Sequence, residues 1–557
     1  MMQFLSERMI HRVNKGAALL ALAVLVLFPL LMVLYNGVAP DGEWLGLEAF
    51  SVLAEDRYIQ IFINSMLLGI GVVIGASILA APLAYFMART ELRRHRWIDI
   101  VLIIPFMTPP YIGAMGWILS MQSGGYAEQL FPFLAGITPY FFTYFGMVLV
   151  MSLHLFPFIY LIMRNTLENI GGRLEEAGLI HGGGFFYRLR RIVTPLFFSG
   201  YSMGALLVFV KTIGEFGTLV TLGNRIGFYV MTSQIHTYTS IWPLDFGTAA
   251  ILSTVLLGVS MTVWYIQQWF VSRKHTKVVS GKGQTRAYNP LGKYQVFAWA
   301  YLAGVLFLAI GVPYFSVAST AFMDITGDGL ALSNLTFSNF IELFAGSGRE
   351  ALFNSLWLAA LAATISVALG VWFAILIMKR NRAPEKTMDF LSLAPNTVPG
   401  IVVVVGLIFF WNAFWNPIGV YNTWMMLVLT YVILYLPFTV QNIKAIYGQL
   451  GDSLFQASRM SGASSFYMLR KILLPLIVPG VLAGWIMTFT ISMRELVGSL
   501  ILRPPNMDTS ATFIYSQFEQ GSQSLGMAMA LVSVGLTTIV LIVVEHYKDK
   551  AQSYRAS

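Results

Sequence analysis

Apolar stretches long enough to cross a bilayer alternate with short polar gaps along the whole chain. They lie near 17–36, 60–87, 99–121, 140–163, 196–222, 247–270, 294–316, 352–378, 388–413, 424–441, 476–501 and 524–545. A helix needs about 20 such residues to span the hydrocarbon core. Backbone polar groups inside lipid can be satisfied only within helices or closed barrels. The pattern therefore predicts an all-α polytopic membrane protein with about twelve transmembrane helices. One stretch breaks the rhythm. Residues 272–293 are polar, basic and free of apolar periodicity, and read as a cytoplasmic linker between a first half, 1–271, and a second half, 294–557.

Composition fits this reading. Hydrophobic residues make up 57% of the chain and charged residues only 11%, so the surplus apolar surface must face lipid. The net charge of +9 does not call for nucleic acid, because the basic residues sit on one side. Of the 35 lysines and arginines, 29 fall in gaps on the N-terminal side; only Arg57, Arg225, Arg349 and Arg503 fall opposite, and Lys211 and Arg494 fall inside helices. The positive-inside rule then puts both termini in the cytoplasm. Arg8, Arg12 and Lys15 precede the first apolar run, but no small-residue cleavage site follows it, so the run reads as an uncleaved helix. With no cysteine, disulfides and thiolate metal sites are excluded, and the seven histidines show no metal-ligand spacing.

The two halves repeat each other. Asn64-Ser65 and Asn354-Ser355 are 290 apart, as are Pro105 and Pro395. Beyond a ten-residue length difference the offset becomes 280, relating Pro157 to Pro437 and Glu215 to Glu495. Each half has an even number of helices and starts on the same side. They are parallel repeats about an axis along the membrane normal, which points to a pathway between two similar halves.

The most specific motif lies between the fourth and fifth helix of each half. The first copy reads Glu176-Ala177-Gly178, then Gly182, then Ile192 and Pro195; the second reads Gln456-Ala457-Ser458, then Gly462, then Ile472 and Pro475. The internal spacings are identical. Small residues let a short helix seat deeply, glycine suits the turn out of it, and proline suits the first turn of the next helix. The motif resembles the EAA loop of ABC importer permeases, with Gln456 standing where that family has glutamate. The resemblance implies that both loops couple to two ATP-binding subunits on the cytoplasmic side, and that a periplasmic solute-binding protein delivers the cargo. It also implies that ATP and Mg are held by the partners, since this chain has no phosphate-binding loop of its own and is then not an enzyme.

Lys211, Glu215, Arg494 and Glu495 fall within predicted membrane helices. A charge there costs roughly 3 kcal/mol on insertion scales, so it faces a partner or a wet cavity. Lys211 and Glu215, four apart, can pair on one helix face. Structural ion pairs and a symmetric pathway or gate pair, Glu215 with Glu495, both remain open. Pro105, Pro109, Pro110, Pro395 and Pro399 break, kink or end the third and ninth helices. The segments FGTLVTLG at 216–223 and ELVGSLILRP at 495–504 resemble the fused ferric-iron permeases of the FbpB type. Carboxylates suit Fe³⁺; Lys211 and Arg494 suit a phosphate-bearing solute. Phosphonate, sugar phosphate, thiamine and polyamine are the other cargoes that resemblance implies. A secondary transporter would leave the twin loops unexplained.

Overall fold

The computed structural model describes residues 2–169, 178, 180–273, 291–378 and 382–556. Among them nine helices are long and apolar enough to cross a membrane, and three bent pairs bring the total to twelve if each pair is one span. In chain order the first to sixth spans are Arg12–Val38, Asp56–Arg89, the pair Trp97–Met107 and Pro110–Met121, Tyr144–Glu168, the pair Gly200–Gly214 and Leu219–Ile226, and Phe246–Phe270. The seventh to twelfth are Gly292–Ala321, Ser347–Met378, the pair Ala383–Asn396 and Gly400–Trp411, Trp424–Tyr447, Met468–Ser492 and Gln523–Val543. They match the twelve apolar windows one for one.

The third and ninth spans bend by 88° and 111°. Pro109 and Pro399 open the second segment of each with nearly the same backbone, φ −57°, ψ 130° and φ −54°, ψ 134°. Proline cannot donate back into the preceding turn, and it holds the residue before it extended, so the helix stops and restarts in a new direction.

The compact units do not follow chain order. One comprises 1–50, 235–255 and 337–557, the other 51–234 and 256–336. Each therefore carries the first helix of the opposite half. In the former, the first span packs on the ninth: Phe28 and Phe410 lie 6.1 Å apart, and a Cβ placed on Gly406 would meet the Pro29 carbonyl oxygen at 2.5 Å. In the latter, the seventh span packs on the third: Thr108 Oγ1 and Tyr314 Oη are 2.8 Å apart, and a Cβ on Gly116 would meet the Pro313 carbonyl oxygen at 2.6 Å. Glycine at both crossings lets backbone touch backbone, the usual basis of helix association in lipid.

The helices of the first, fifth, seventh and eleventh spans each contain a wide π turn, at Ala23–Leu27, Leu189–Val193, Phe307–Gly311 and Met468–Leu473. Each ends two residues before a proline: Pro29, Pro195, Pro313 and Pro475. In three of them the N–H just before the proline reaches back five residues, Phe28 to Ala23, Val312 to Phe307 and Leu474 to Leu469. Widening the turn relieves the clash of the proline ring with the carbonyl four residues earlier, so the helix runs on. This corrects the placement of Pro195 and Pro475. Their helices begin at Phe185 and Ser465, and each proline lies ten residues in, not in the first turn.

The repeated Asn-Ser pair has one job in both halves. Ser65 Oγ accepts the N–H of Met231 at 2.9 Å, and Asn64 donates to the Tyr229 carbonyl at 3.0 Å. Ser355 Oγ accepts the N–H of Ser510 at 2.7 Å, and Asn354 donates to the Asp508 carbonyl at 3.0 Å. Met231 and Ser510 open the short helices Met231–Ser240 and Ser510–Gln520. The pair thus satisfies a backbone donor that a helix start leaves orphaned.

Candidate coupling loops and intramembrane carboxylates

The second loop is a short helix, Asp452–Met460, whose Gln456 and Ala457 are exposed and whose Ser458 is half-buried. Phe455 anchors it by stacking on Tyr447 at the end of the tenth span, ring centroids 5.7 Å apart. Gly462 follows with φ +79°, and the Ala463 N–H closes back on the Ser458 carbonyl at 3.1 Å. In the first loop Glu176 and Ala177 lie outside the described residues. From Gly178 onward the geometry is the same: Gly182 has φ +77°, and the Gly183 N–H bonds the Gly178 carbonyl at 2.8 Å. Both loops thus share a left-handed glycine and a six-residue closure, which only a residue without a Cβ adopts freely.

The spacing between the small residue and the isoleucine also has a physical reason. After the turn, the next helix folds back past Gly178, where a Cβ would meet Ile192 Cδ1 at 2.6 Å. An open cleft of about 680 Å³ lies here, framed by Gly182, Gly183, Tyr187 and Arg191. Four residues that motif spacing did not single out lie in or just after the two loops, two at each. Ile180 and Met460 are 83% and 89% exposed, and Tyr187 and Tyr467 are 60% and 55% exposed. Each pair is 280 apart. Their type and offset were in the sequence; only exposure separates them from core residues.

Glu215 and Glu495 sit where their helices break, after Gly214 and Ser492. Both carboxylate oxygens of Glu215 accept the Thr218 N–H at 3.1 Å. Glu495 accepts the N–H groups of Gly498 and Ser499 at 3.0 Å each, and the Ser499 hydroxyl at 3.1 Å. Each carboxylate therefore caps the helix segment beyond the break, where orphan donors and the positive end of the helix dipole favour an anion. Lys211 lies one turn before Glu215, and Arg494 lies in the break itself; both are half-buried.

The description "binding-protein-dependent transport system inner membrane component" fits residues 74–275 and 366–552. The chain belongs to this family. In this permease each matched segment holds one loop and one capping glutamate, and the first and seventh spans, which the halves exchange, fall outside both. It is similar to the Fe(3+)-transport system permease protein FbpB 2 of Haemophilus influenzae, 25% identical over 90% of this chain and 93% of that protein. It is also similar to the ferric transport system permease protein FbpB of Actinobacillus pleuropneumoniae, 24% identical over 94% of this chain and 77% of that one. A shorter relative named for a 2-aminoethylphosphonate transport system, PhnV of Salmonella typhimurium, is 23% identical over 46% of this chain and 96% of its own.

The capping geometry separates two roles of Glu495. Glu495→Ala removes both acceptors and is expected to lower stability by about 1–2 kcal/mol, the usual cost of losing a helix cap. Glu495→Gln keeps one carbonyl oxygen and is expected to lose less. Thermal unfolding in detergent checks the order. Wild-type uptake by a folded Glu495→Gln variant would leave the residue as a cap and remove the charge from any gate.

Proposed function

We propose that this permease imports ferric iron by alternating access, with two ATP-hydrolysing subunits seated on the loops around 176–182 and 456–462. Both termini and both loops lie in the cytoplasm on this reading, and a periplasmic binding protein delivers the cargo from the far side. ATP hydrolysis belongs to the partner subunits, which hold the nucleotide and its Mg. One observation carries the coupling role: both loops close with the same left-handed glycine and the same backbone bond, at equivalent places of the repeat. A partner that pushes on two sites of a pseudo-symmetric membrane domain needs two rigid knobs of one shape. The exposed Ile180, Tyr187, Met460 and Tyr467 give those knobs apolar and aromatic contact surface of the kind protein interfaces enrich.

Glu215 and Glu495 act in this scheme by fixing the breaks in the fifth and eleventh spans, with Lys211 and Arg494 beside them. Ferric iron rests on relatives named for it that align over nearly the full chain. A phosphonate is the second reading, favoured by the PhnV relative and by the two intramembrane cations. Uptake of labelled Fe³⁺ and of labelled 2-aminoethylphosphonate, by cells carrying the permease with its ATPase and binding protein, decides between them. Iron uptake that requires ATP is the expected result; phosphonate uptake without iron would move the cargo and leave the architecture.

A further inference from the structure

The fourth and tenth spans are the ones that precede the two coupling loops in the chain, and each carries a cation near that end: Arg164 and Lys444, 280 apart. Each cation pairs with an aspartate in the first segment of a bent span, Arg164 with Asp99 on the third and Lys444 with Asp389 on the ninth. The aspartates are 290 apart, the offset that also relates the two bends at Pro109 and Pro399. None of the four side chains is fully exposed: Arg164 and Asp99 show 18% and 19% of their surface, Lys444 and Asp389 22% and 34%.

The surroundings of the pair differ between the halves, while the pair recurs. In the first half Tyr160 donates its hydroxyl to Asp99 at 2.5 Å, and Glu168 lies 3.4 Å from both Arg164 and Arg93. In the second half Val440 and Gly448 stand at the positions of Tyr160 and Glu168. The exchanged first helices are fastened at the same ends of the bent spans. Lys15 pairs with Glu385, and at the equivalent place Trp299 packs edge-on against His95, ring centroids 5.3 Å apart. The first segment of each bent span is thus a junction of three elements within one unit.

We infer that Asp99–Arg164 and Asp389–Lys444 are positioning pairs that carry movement of each coupling loop to the bends of the third and ninth spans. The inference rests on the coupling reading of the loops. A partly buried ion pair resists slip between two packed helices, because its short contact must part before one helix can move along the other. A push on the loop then moves the bent span together with the helix that bears the loop.

The test uses the complete complex with its ATPase subunits and a single reporter cysteine, since the chain has none of its own. Thr397→Cys places it at the bend of the ninth span, half-buried between the two segments. The rate of maleimide labelling is measured with and without a non-hydrolysable ATP analogue. We expect the nucleotide to change the rate by about tenfold, in the range of ordinary coupling between sites. Asp389→Asn is expected to abolish that change, and the exchange Asp389→Lys with Lys444→Asp to restore it. A rate in wild-type pairing that ignores nucleotide, or a nucleotide response that survives Asp389→Asn, would overturn the proposal. The loop reading is judged separately, by whether Gly182→Arg with Gly462→Arg sheds the ATPase subunits that Asp389→Asn retains.

Discussion

Uptake is expected to vanish in the double variant Gly182→Arg, Gly462→Arg, while the protein still inserts and still runs as a monodisperse species in detergent. Two separate effects act at these positions. The first is conformational. At φ +77° and +79° any residue with a Cβ is strained by roughly 1–2 kcal/mol. The second is the guanidinium itself, which stands on the surface a partner must cover. The two can be told apart, because no atom lies within 4 Å of a Cβ at either glycine. Alanine therefore meets only the conformational cost, and asparagine, which tolerates the left-handed region, meets less of it. The expected order of uptake is wild type, then asparagine, then alanine, with arginine inactive. ATPase co-purification checks the cause: the arginine variant loses the partner, whereas the asparagine variant keeps it. Normal uptake by the arginine variant would remove the coupling role from both loops.

The twelve spans were legible because lipid imposes a simple demand on composition over a fixed length, and the bends because proline states its own constraint. The loop glycines were legible for the same reason: Gly182 and Gly462 do what only glycine does cheaply. The exchange of first helices was not. The first and seventh spans are apolar on every side, so nothing in their sequence says which bent helix they meet. The trace lies in the partners, Gly116 with Pro313 and Gly406 with Pro29, which sequence order keeps far apart. The role of the intramembrane glutamates was half legible. Glu215 and Glu495 were marked by charge and by their offset of 280, yet their oxygens face their own chain. The signal was the Gly-Thr and Gly-Ser that follow, Gly217-Thr218 and Gly498-Ser499, small residues at the start of a helix segment that a preceding carboxylate can cap. The ion pairs Asp99–Arg164 and Asp389–Lys444 were hidden by distance along the chain, although both carried the repeat's offsets.

Gly116→Ala and Gly406→Ala are expected to destabilise the permease more than any other single methyl added to its glycine crossings. The added carbon would lie 2.6 Å from the Pro313 carbonyl oxygen and 2.8 Å from its Cα, or 2.5 Å from the Pro29 carbonyl oxygen and 2.9 Å from its carbonyl carbon. These are backbone atoms, so no side chain can swing away. Relief requires the exchanged helix to move as a body, because the contact is at its proline, two residues after its π turn. Overpacking of this kind typically costs about 1–3 kcal/mol per site. Both substitutions together would then take a large part of the roughly 5–15 kcal/mol that holds a folded protein. Gly113→Ala is the control. It lies one turn from Gly116 on the same helix segment, and a Cβ there has no atom within 4 Å. Thermal unfolding in detergent should therefore place Gly113→Ala at the wild-type midpoint, each of the other two several degrees below it, and the double variant lowest. Equal midpoints for Gly113→Ala and Gly116→Ala would mean that the first helices do not lock into the bent spans at these glycines. The loss has a functional side as well. The bent third and ninth spans are held in their first segments by the aspartate pairs and along their second segments by the exchanged helices, so on the proposed coupling a loosened crossing is expected to lower uptake as well as stability.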